Sequence, residues 1–333
     1  MSPKEELNHL VEGNIVDNPK TLAKYSRDAS IFEIRPTLVI YPKNAEDIKK
    51  LVVFASTHKG VTLTPRGGGT DMTGGPLSAS AVLDMTRHFN RIKNVSATEA
   101  TVEPGVFYRN FEKETVRHNA FLPSYPASRE ICTLGGMIAN NAGGEKTLAY
   151  GKTDEYIKEI KIVLADGNEY AVKPLAKSEL EQSIRKHTFE GKLYREIYNL
   201  LDTNHDIIAR AKPNVSKNSA GYALWNIWDG KTFDLTKLFV GSQGTLGIIT
   251  EATVRLVSPQ KHRTLLVIFV KNLKNLGELI NVVLKEKPES FESFDDHSLK
   301  LALRYIWEII ALISPKNIFS LAWQFLPEAW MVV

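Results

Sequence analysis

Short apolar runs alternate with a helical stripe in the first part of the chain. Thr37–Tyr41 is an apolar run, and Asn44 can cap a helix that follows it. Apolar side chains then recur at i, i+3, i+4 and i+7, the spacing of one helix face; they are Ile48, Leu51, Val52 and Ala55. Gly60 can end this helix before the run Val61–Thr64. The pattern therefore predicts a βαβ unit over residues 37–65.

Shorter elements follow. The pattern predicts strands at 81–84, 98–102 and 247–257 and helices at 108–118 and 191–210. Ile160–Val172 is typical of a β-hairpin, because Asp166-Gly167 is a pair favoured in type I′ turns. Together with the βαβ unit, this hairpin indicates the α+β class.

A second unit is predicted after Ser258-Pro259, which marks a boundary. Thr264–Val270 has the pattern of a strand and Leu273–Lys287 that of a helix. A further helical stretch begins near His297. We therefore expect a smaller, separate α+β unit at this end of the chain.

Composition excludes several classes of protein. With 333 residues, 43% hydrophobic and 24% charged, the chain is an ordinary soluble globular protein of about two domains. Its net charge is +4 and it has no run of five or six like charges, so nucleic acid is not an expected partner. The single cysteine, Cys132, cannot form an intramolecular disulfide.

Neither end of the chain indicates export or membrane insertion. The first residues lack the apolar region of a signal peptide. Residues 305–333 are the most apolar stretch, but Pro315, Pro327 and charged residues interrupt it. We therefore expect a cytoplasmic protein without a transmembrane segment, and peripheral contact with a membrane stays open.

The most informative feature is a first glycine segment, residues 65–76, with the sequence PRGGGTDMTGGP. It directly follows a predicted strand. Consecutive glycines let the backbone aim several N–H groups into one concavity that binds anions, and Arg66 and Thr70 can add donors. This arrangement suits a pyrophosphate. The alternative is a flexible glycine loop, which further glycine-rich segments make less attractive.

Two such segments follow. The second glycine segment, residues 125–144, contains many small residues and a short helix predicted to start near Thr133. The third glycine segment is residues 241–250, GSQGTLGIIT.

Two standard nucleotide motifs are absent, because a Rossmann fingerprint requires glycine where Met72 stands and a P-loop requires glycine where Lys146 stands.

Five segments in a fixed order resemble a known family. They are PRGGGTDMTGGP, VEPG at Val102–Gly105, TLGGMIANNAGG, VLADG and GSQGTLGIIT. This order resembles the FAD-binding domain of the vanillyl-alcohol oxidase/p-cresol methylhydroxylase type, nearest the branch that contains glycolate oxidase and D-lactate dehydrogenase. The likeness extends from about Tyr25 to Ser258.

The resemblance implies a domain layout and a cofactor site. It implies an N-terminal segment 1–34, a two-lobed α+β FAD-binding domain 35–260 and a partial α+β cap domain 261–333. The residues implied to bind FAD are Pro65, Arg66, Gly67, Gly68, Gly69, Thr70, Asp71, Pro104, Gly105, Ala127, Ser128, Thr133, Gly135, Gly136, Asn140, Asn141, Ala142, Gly143, Gly244, Thr245, Gly247, Ile248 and Ile249. Several relatives attach FAD through a histidine in the first segment, where this chain has Thr70, so non-covalent FAD is expected.

The function implied is an FAD-dependent oxidoreductase that oxidises a small 2-hydroxyacid such as D-lactate, glycolate or D-2-hydroxyglutarate by hydride transfer. The catalytic base and the electron acceptor stay unidentified. One alternative is a transferase like alkylglycerone-phosphate synthase, and another is a truncated FAD-binding module without turnover. UDP-N-acetylenolpyruvylglucosamine reductase has a similar domain, but residues 123–136 fit it poorly. The histidine-rich metal segment of many relatives is absent from this sequence, so no metal is expected.

Three other features have competing interpretations. Cys132 is either a flavin contact or, more often for such a cysteine, a packed small hydrophobe. Arg129 either binds a substrate carboxylate or forms a surface ion pair. Residues 217–222, KNSAGY, either lie near the substrate or form a turn closed by a packed tyrosine.

Overall fold

Two larger β-sheets organise the computed structural model, which describes residues 3–215, 217–270 and 272–308. The strands are β1 Asn14–Val16, β2 Leu38–Tyr41, β3 Leu63–Arg66, β4 Ala81–Asp84, β5 Ile92–Val95, β6 Glu99–Val102, β7 Ile157–Val163, β8 Glu169–Val172, β9 Leu175–Ala176, β10 Thr232–Phe233 and β11 Ile248–Arg255.

Helices lie before, between and after the strands along the chain. They are α1 Pro3–Leu10, α2 Pro19–Tyr25, α3 Ala45–Thr57, α4 Tyr108–Arg117, α5 Leu134–Ala139, α6 Thr147–Tyr150, α7 Lys177–Ile184, α8 Phe189–Thr203, α9 His205–Ala211, α10 Thr236–Phe239, α11 Leu276–Lys285 and α12 Asp296–Arg304. The mixture of sheets and helices confirms the α+β class.

The first sheet has the strand order β1-β2-β4-β3, in which β2, β4 and β3 are parallel and β1 is antiparallel to β2. Helix α3 connects β2 to β3, as the predicted βαβ unit requires. Its first turn is capped by Asn44, whose side chain accepts a hydrogen bond from the N–H of Asp47 at 3.0 Å. Ile48 and Leu51 of α3 are fully buried with Leu83 of β4 in one core.

The second sheet is antiparallel, with the order β5-β6-β11-β7-β8. The longest strand, β11, lies at its centre, and its buried and half-buried residues alternate along Ile248–Val254 as one covered face requires. Helix α4 packs Tyr108 and Phe111 into the core beside this sheet, and both side chains are fully buried.

The β7–β8 hairpin is present, but the predicted type I′ turn is wrong. A type I′ turn requires positive φ at both central residues, and only Gly167 has it, at 78°. The N–H of Gly167 donates to the carbonyl of Leu164, and the N–H of Leu164 donates to Asn168. The loop is therefore longer than two residues, with Gly167 as its left-handed position.

The predicted strand at 264–270 is also wrong. Residues 264–270 pair with no strand among the described residues, and the side chains from Leu265 to Val270 are all exposed. Apolar and β-branched residues favour strands only where a neighbouring strand accepts their backbone hydrogen bonds. The predicted helix at 191–210 is instead two helices, α8 and α9, divided at Asn204.

The chain consists of two compact units, Met1–Ser290 and Phe291–Val333, and the residues of each unit contact mainly one another. Of the second unit the structure describes residues 291–308, which contain α12; its N-cap is Asp295, whose side chain accepts the N–H of Ser298 at 2.6 Å. The part of the predicted C-terminal helix after residue 308 lies outside the described residues. Within the described ranges, no helix is long and apolar enough to cross a membrane.

Helix α4 allows a test of which face supports the core. Phe111→Ala removes a fully buried ring and should lower the free energy of unfolding by about 3–5 kcal/mol. Val116→Ala, on the exposed face of the same helix, should change it by less than about 0.5 kcal/mol. Urea unfolding measures both values, and equal losses in the two variants would contradict this packing.

Candidate cofactor site

A cavity of about 480 Å³ opens where the three glycine segments meet. The first glycine segment leaves the carboxyl end of β3, the edge of a parallel sheet where ligands commonly bind. The second provides α5 and the turn before it, and the third provides the residues that lead into β11. Segments far apart in sequence therefore form one cavity.

Four consecutive residues of the cavity wall have backbone N–H groups without a partner among the described residues. Gly67, Gly68, Gly69 and Thr70 all line the cavity, and none of their N–H groups donates a hydrogen bond within the part of the chain that the structure describes. Gly69 has a φ of 70°, a conformation that glycine adopts without strain. Unpaired amides on a left-handed turn are typical of an anion site.

The first segment packs against the second so closely that side chains are excluded. A β-carbon at Gly67 would lie 2.1 Å from the Oγ1 of Thr133, and one at Gly68 would lie 2.0 Å from the carbonyl oxygen of Ile131. Glycine is therefore required at both positions for contact between the segments. The two segments act as one wall of the cavity.

Arg66 anchors the N-terminal part of the chain to this wall. Its buried guanidinium donates to the carbonyl of Arg27 at 2.7 Å and to that of Tyr25 at 3.4 Å, and it lies 5.3 Å from the Tyr25 ring centre. The Tyr25 hydroxyl in turn donates to the buried carboxylate of Asp84. Burial lowers the pKa of Arg66 from its ordinary value. Arg66 thus lines the cavity, with two of its nitrogen atoms committed to the chain itself.

Asp71 closes the turn that follows the glycines. Its carboxylate accepts hydrogen bonds from the N–H of Thr73 at 3.1 Å, the Thr73 hydroxyl at 2.9 Å and the N–H of Gly75 at 2.8 Å. A side chain with these bonds holds the loop in shape.

The second glycine segment contains a short capped helix, as predicted. Thr133 is the N-cap of α5, and its hydroxyl accepts the N–H of Gly136 at 3.3 Å. The N–H of Gly135 donates to the carbonyl of Pro104 at 2.8 Å, and a β-carbon at Gly135 would lie 2.5 Å from the Pro104 side chain. The segment 102–105 therefore supports the start of this helix.

Gln243 joins the third segment to the second. It has a φ of 56°, and its N–H donates to the carbonyl of Ala139 at 2.9 Å. Its side-chain amide donates to the Oδ1 of Asn140 at 2.9 Å. The N–H of Gly241 also donates to Ile138, at 2.9 Å. The end of α5 and the third segment are thus held side by side.

The described cavity wall carries few charged side chains and one thiol. Among its described lining residues, Arg66 is the cation and Asp71 the carboxylate, and histidine, lysine and tyrosine are absent. Cys132 lines the cavity as a buried thiol, and burial raises its pKa to about 11. The wall therefore offers backbone amides and apolar surface more than charged groups.

Most residues implied by the resemblance line this cavity, and five do not. Gly105 packs against the carbonyl of Met85, Gly143 against Thr147, and Ile248 lies in the core. Asn141 and Thr245 stand behind the wall; the Oδ1 of Asn141 accepts the N–H of Asp154 at 3.0 Å. FAD contact by any of these residues stays a prediction.

Several lining residues escaped sequence reasoning. They include Ala29, Met72, Met85, Met137 and Ser242. Met72 and Ser242 are neighbours of the glycine motifs, so proximity in sequence could have found them. Ala29, Met85 and Met137 reach the cavity only through the tertiary fold.

Arg129, a candidate for binding a substrate carboxylate, has the contacts of a surface residue. Arg129 lies 3.9 Å from Glu112, 3.8 Å from Glu130 and 5.2 Å from the Tyr125 ring centre, as a surface ion pair would. Arg129 does not line the cavity.

The described ranges contain no group of three or more His, Cys, Asp or Glu that could hold a metal ion.

Comparisons with known proteins agree with this geometry. Residues 36–172 match the FAD binding domain family. The chain is 28% identical over 307 residues to D-2-hydroxyglutarate dehydrogenase of Pantoea ananatis, covering 89% of the chain and 30% of that protein. It is 31% identical to glycolate oxidase subunit GlcD of Bacillus subtilis, covering 83% and 49%, and 26% identical to D-lactate dehydrogenase of Archaeoglobus fulgidus, covering 90% and 57%.

A solved alkyldihydroxyacetonephosphate synthase has a similar fold, with a TM-score of 0.54, 20% identity and coverage of 79% of this chain and 42% of that one. The sequence matches confirm the resemblance to this branch of FAD-binding oxidoreductases, and the solved structure shows a similar fold. Residues 36–172 match an FAD-binding domain, and FAD is the cofactor that this match supports. The chain spans between 30% and 57% of the length of the three relatives named above.

Gly68 and Gly277 make a matched pair for testing the wall. Gly68→Ala should weaken FAD binding about tenfold or more, because its β-carbon would meet the backbone of Ile131 at 2.0 Å. Gly277→Ala should bind FAD as the wild type does, since Gly277 lies in α11 away from the cavity lining and its β-carbon would meet no atom within 4 Å. Flavin fluorescence titration measures both affinities, and equal effects would contradict the packing.

Cys132 reports on the cavity because it is the single cysteine of the chain. Burial raises its pKa from 9.0 to about 11, so a disulfide reagent should react slowly at pH 8 and faster as the pH rises through 11. Since the folded-state pKa is the higher one, the fold holds this proton more tightly than the unfolded chain does, and the stability of the fold should decrease as the pH rises from 9 through 11. FAD should slow the reaction further, and rapid labelling at pH 8 would contradict this placement.

Proposed function

We propose that this chain is the FAD-binding part of an FAD-dependent oxidoreductase that oxidises a small 2-hydroxyacid. The observation that carries the proposal is the row of four unpaired N–H groups from Gly67 to Thr70 in the cavity formed by three glycine segments. The relatives named D-2-hydroxyglutarate dehydrogenase, glycolate oxidase subunit GlcD and D-lactate dehydrogenase support the substrate class.

FAD would lie with its pyrophosphate on these N–H groups. Backbone amides and the Arg66 charge would balance the phosphate charge, because the described lining holds no other cation. Small residues of the second and third segments, such as Gly135, Gly136, Ala142 and Gly247, leave room for the flat ring systems. This placement brings FAD against the eighteen residues implied by the sequence resemblance that line the cavity, and contact with the other five stays a prediction.

Attachment of FAD would be non-covalent. The described lining of the cavity offers no histidine or tyrosine to form a bond to the flavin. Its one thiol, Cys132, has a pKa raised to about 11 and stays protonated at neutral pH.

Precipitation of the FAD-loaded chain with acid should therefore release the flavin into solution, whereas yellow precipitated protein would contradict non-covalent attachment.

In the proposed reaction a 2-hydroxyacid becomes a 2-oxoacid by losing two electrons and two protons. Bound FAD supplies the acceptor for the hydride from the α-carbon, and a base takes the hydroxyl proton. Asp71 is poorly suited to be that base, because its carboxylate is occupied by the turn that it closes. The base and the final electron acceptor are left unassigned.

The domain layout is part of the same proposal. The two larger sheets support two lobes of an FAD-binding domain over 35–260, with residues 261–333 as part of a cap domain. The N-terminal segment 1–34 is tied to the first lobe by Arg66, which holds Tyr25 and Arg27. The cytoplasmic location stays a prediction.

The test is the absorbance spectrum of the FAD-loaded chain, recorded without oxygen before and after D-lactate, glycolate or D-2-hydroxyglutarate is added. Bleaching of the flavin bands by at least one of them is the expected result, with L-lactate as the matched control for the D-acid. Persistent bands with every acid would contradict oxidation by this chain and favour a binding module without turnover. A response to acyl-dihydroxyacetone phosphate instead would favour the transferase alternative.

A further inference from the structure

A six-residue segment, Lys217–Tyr222, bonds to both the second and the third glycine segment without lining the cavity; we call it the strap. Much of it is exposed, including Tyr222 with 43% of its surface accessible. Gly221 turns the strap with a φ of 69°. Although it has neither helix nor strand, hydrogen bonds hold both of its ends.

The first end of the strap is fixed to the second glycine segment and the loop after it. The Ser219 hydroxyl donates to the backbone carbonyl of Asn141 at 3.1 Å. The Lys152 amino group donates to the backbone carbonyl of Asn218. The first of these bonds therefore joins the strap to a residue two positions after helix α5.

The other end is fixed to the third glycine segment. The hydroxyl oxygens of Tyr222 and Thr245 lie 2.8 Å apart. The Thr245 hydroxyl also lies 2.6 Å from the carbonyl of Ser242 and donates to it. Since a hydroxyl has a single hydrogen, Tyr222 must be the donor to Thr245. The result is a chain of two hydrogen bonds from the strap to Ser242 in the cavity wall.

The two anchor points explain an anomaly in the cofactor site. Asn141 and Thr245 belong to the motifs that resemble an FAD site, yet neither lines the cavity. Each is the direct neighbour of a residue that does, Asn140 and Gly244 respectively. Both are hydrogen-bonded to the strap.

We propose that the strap fastens the second and third glycine segments to each other and thereby slows the release of FAD. The proposal rests on the placement of FAD in this cavity. Inside the wall the same two segments are joined by the N–H groups of Gly241 and Gln243, which donate to Ile138 and Ala139. The strap adds a second connection outside, so that opening the wall requires both sets of bonds to break.

FAD release tests the proposal. Tyr222→Phe removes the bond to Thr245, and Ser219→Ala removes the bond to Asn141. Each should speed release of FAD by about two- to tenfold, the range expected for one hydrogen bond. The FAD-loaded chain is diluted into an excess of a flavin scavenger, and the change in flavin fluorescence over time gives the rate of release. Tyr170→Phe is the matched control, because its hydroxyl donates to Asp166 at 2.6 Å in the distant β7–β8 loop, and its rate should equal that of the wild type.

A second measurement needs no cofactor. In the flavin-free chain, Tyr222→Phe should accelerate hydrogen exchange at the N–H groups of Gly241 and Gln243, whereas Tyr170→Phe should not. Wild-type rates of both FAD release and exchange in Tyr222→Phe and Ser219→Ala would overturn the proposal. If the wild-type chain takes up no FAD, the proposed function fails, and the exchange measurement alone still decides the role of the strap.

Discussion

The site depends on one contact, between the backbone of the first glycine segment and residues Ile131 and Thr133 of the second. At Gly67 and Gly68 any side chain would collide with Thr133 or Ile131. This close approach brings the first segment against Thr133, the residue that caps helix α5. The contact also explains why the chain needs consecutive glycines there, where a merely flexible loop would accept other residues.

Around this contact the protein binds charge mostly with its backbone. Arg66 is the one cation in the described lining, and two of its nitrogen atoms hold carbonyl groups of the N-terminal part. Asp71 is the one carboxylate, and it closes the adjoining turn. Such a wall would balance the proposed pyrophosphate with fixed amide dipoles, which lose no side-chain entropy when a ligand binds. The bonds of Gln243 then set the distance between the second and third segments.

Sequence reasoning succeeded where the determinants are local. The spacing of apolar residues and the Asn44 cap define helix α3, and the glycine motifs locate most of the cavity wall. It failed where the outcome depends on distant partners. The run 264–270 has strand propensity but no pairing strand within the described ranges. Likewise, no pattern in the sequence indicates that Arg66 binds the carbonyl of Arg27 or that Tyr222 reaches Thr245.

The central claim is that the N–H groups from Gly67 to Thr70 hold the pyrophosphate of FAD. Amide hydrogen exchange, resolved to single residues with and without saturating FAD, tests it most directly. We expect these four amides to exchange rapidly in the flavin-free chain and to become protected when FAD binds, while those in the exposed 264–270 run do not change. FAD binding with no added protection from Gly67 to Thr70 would contradict the account.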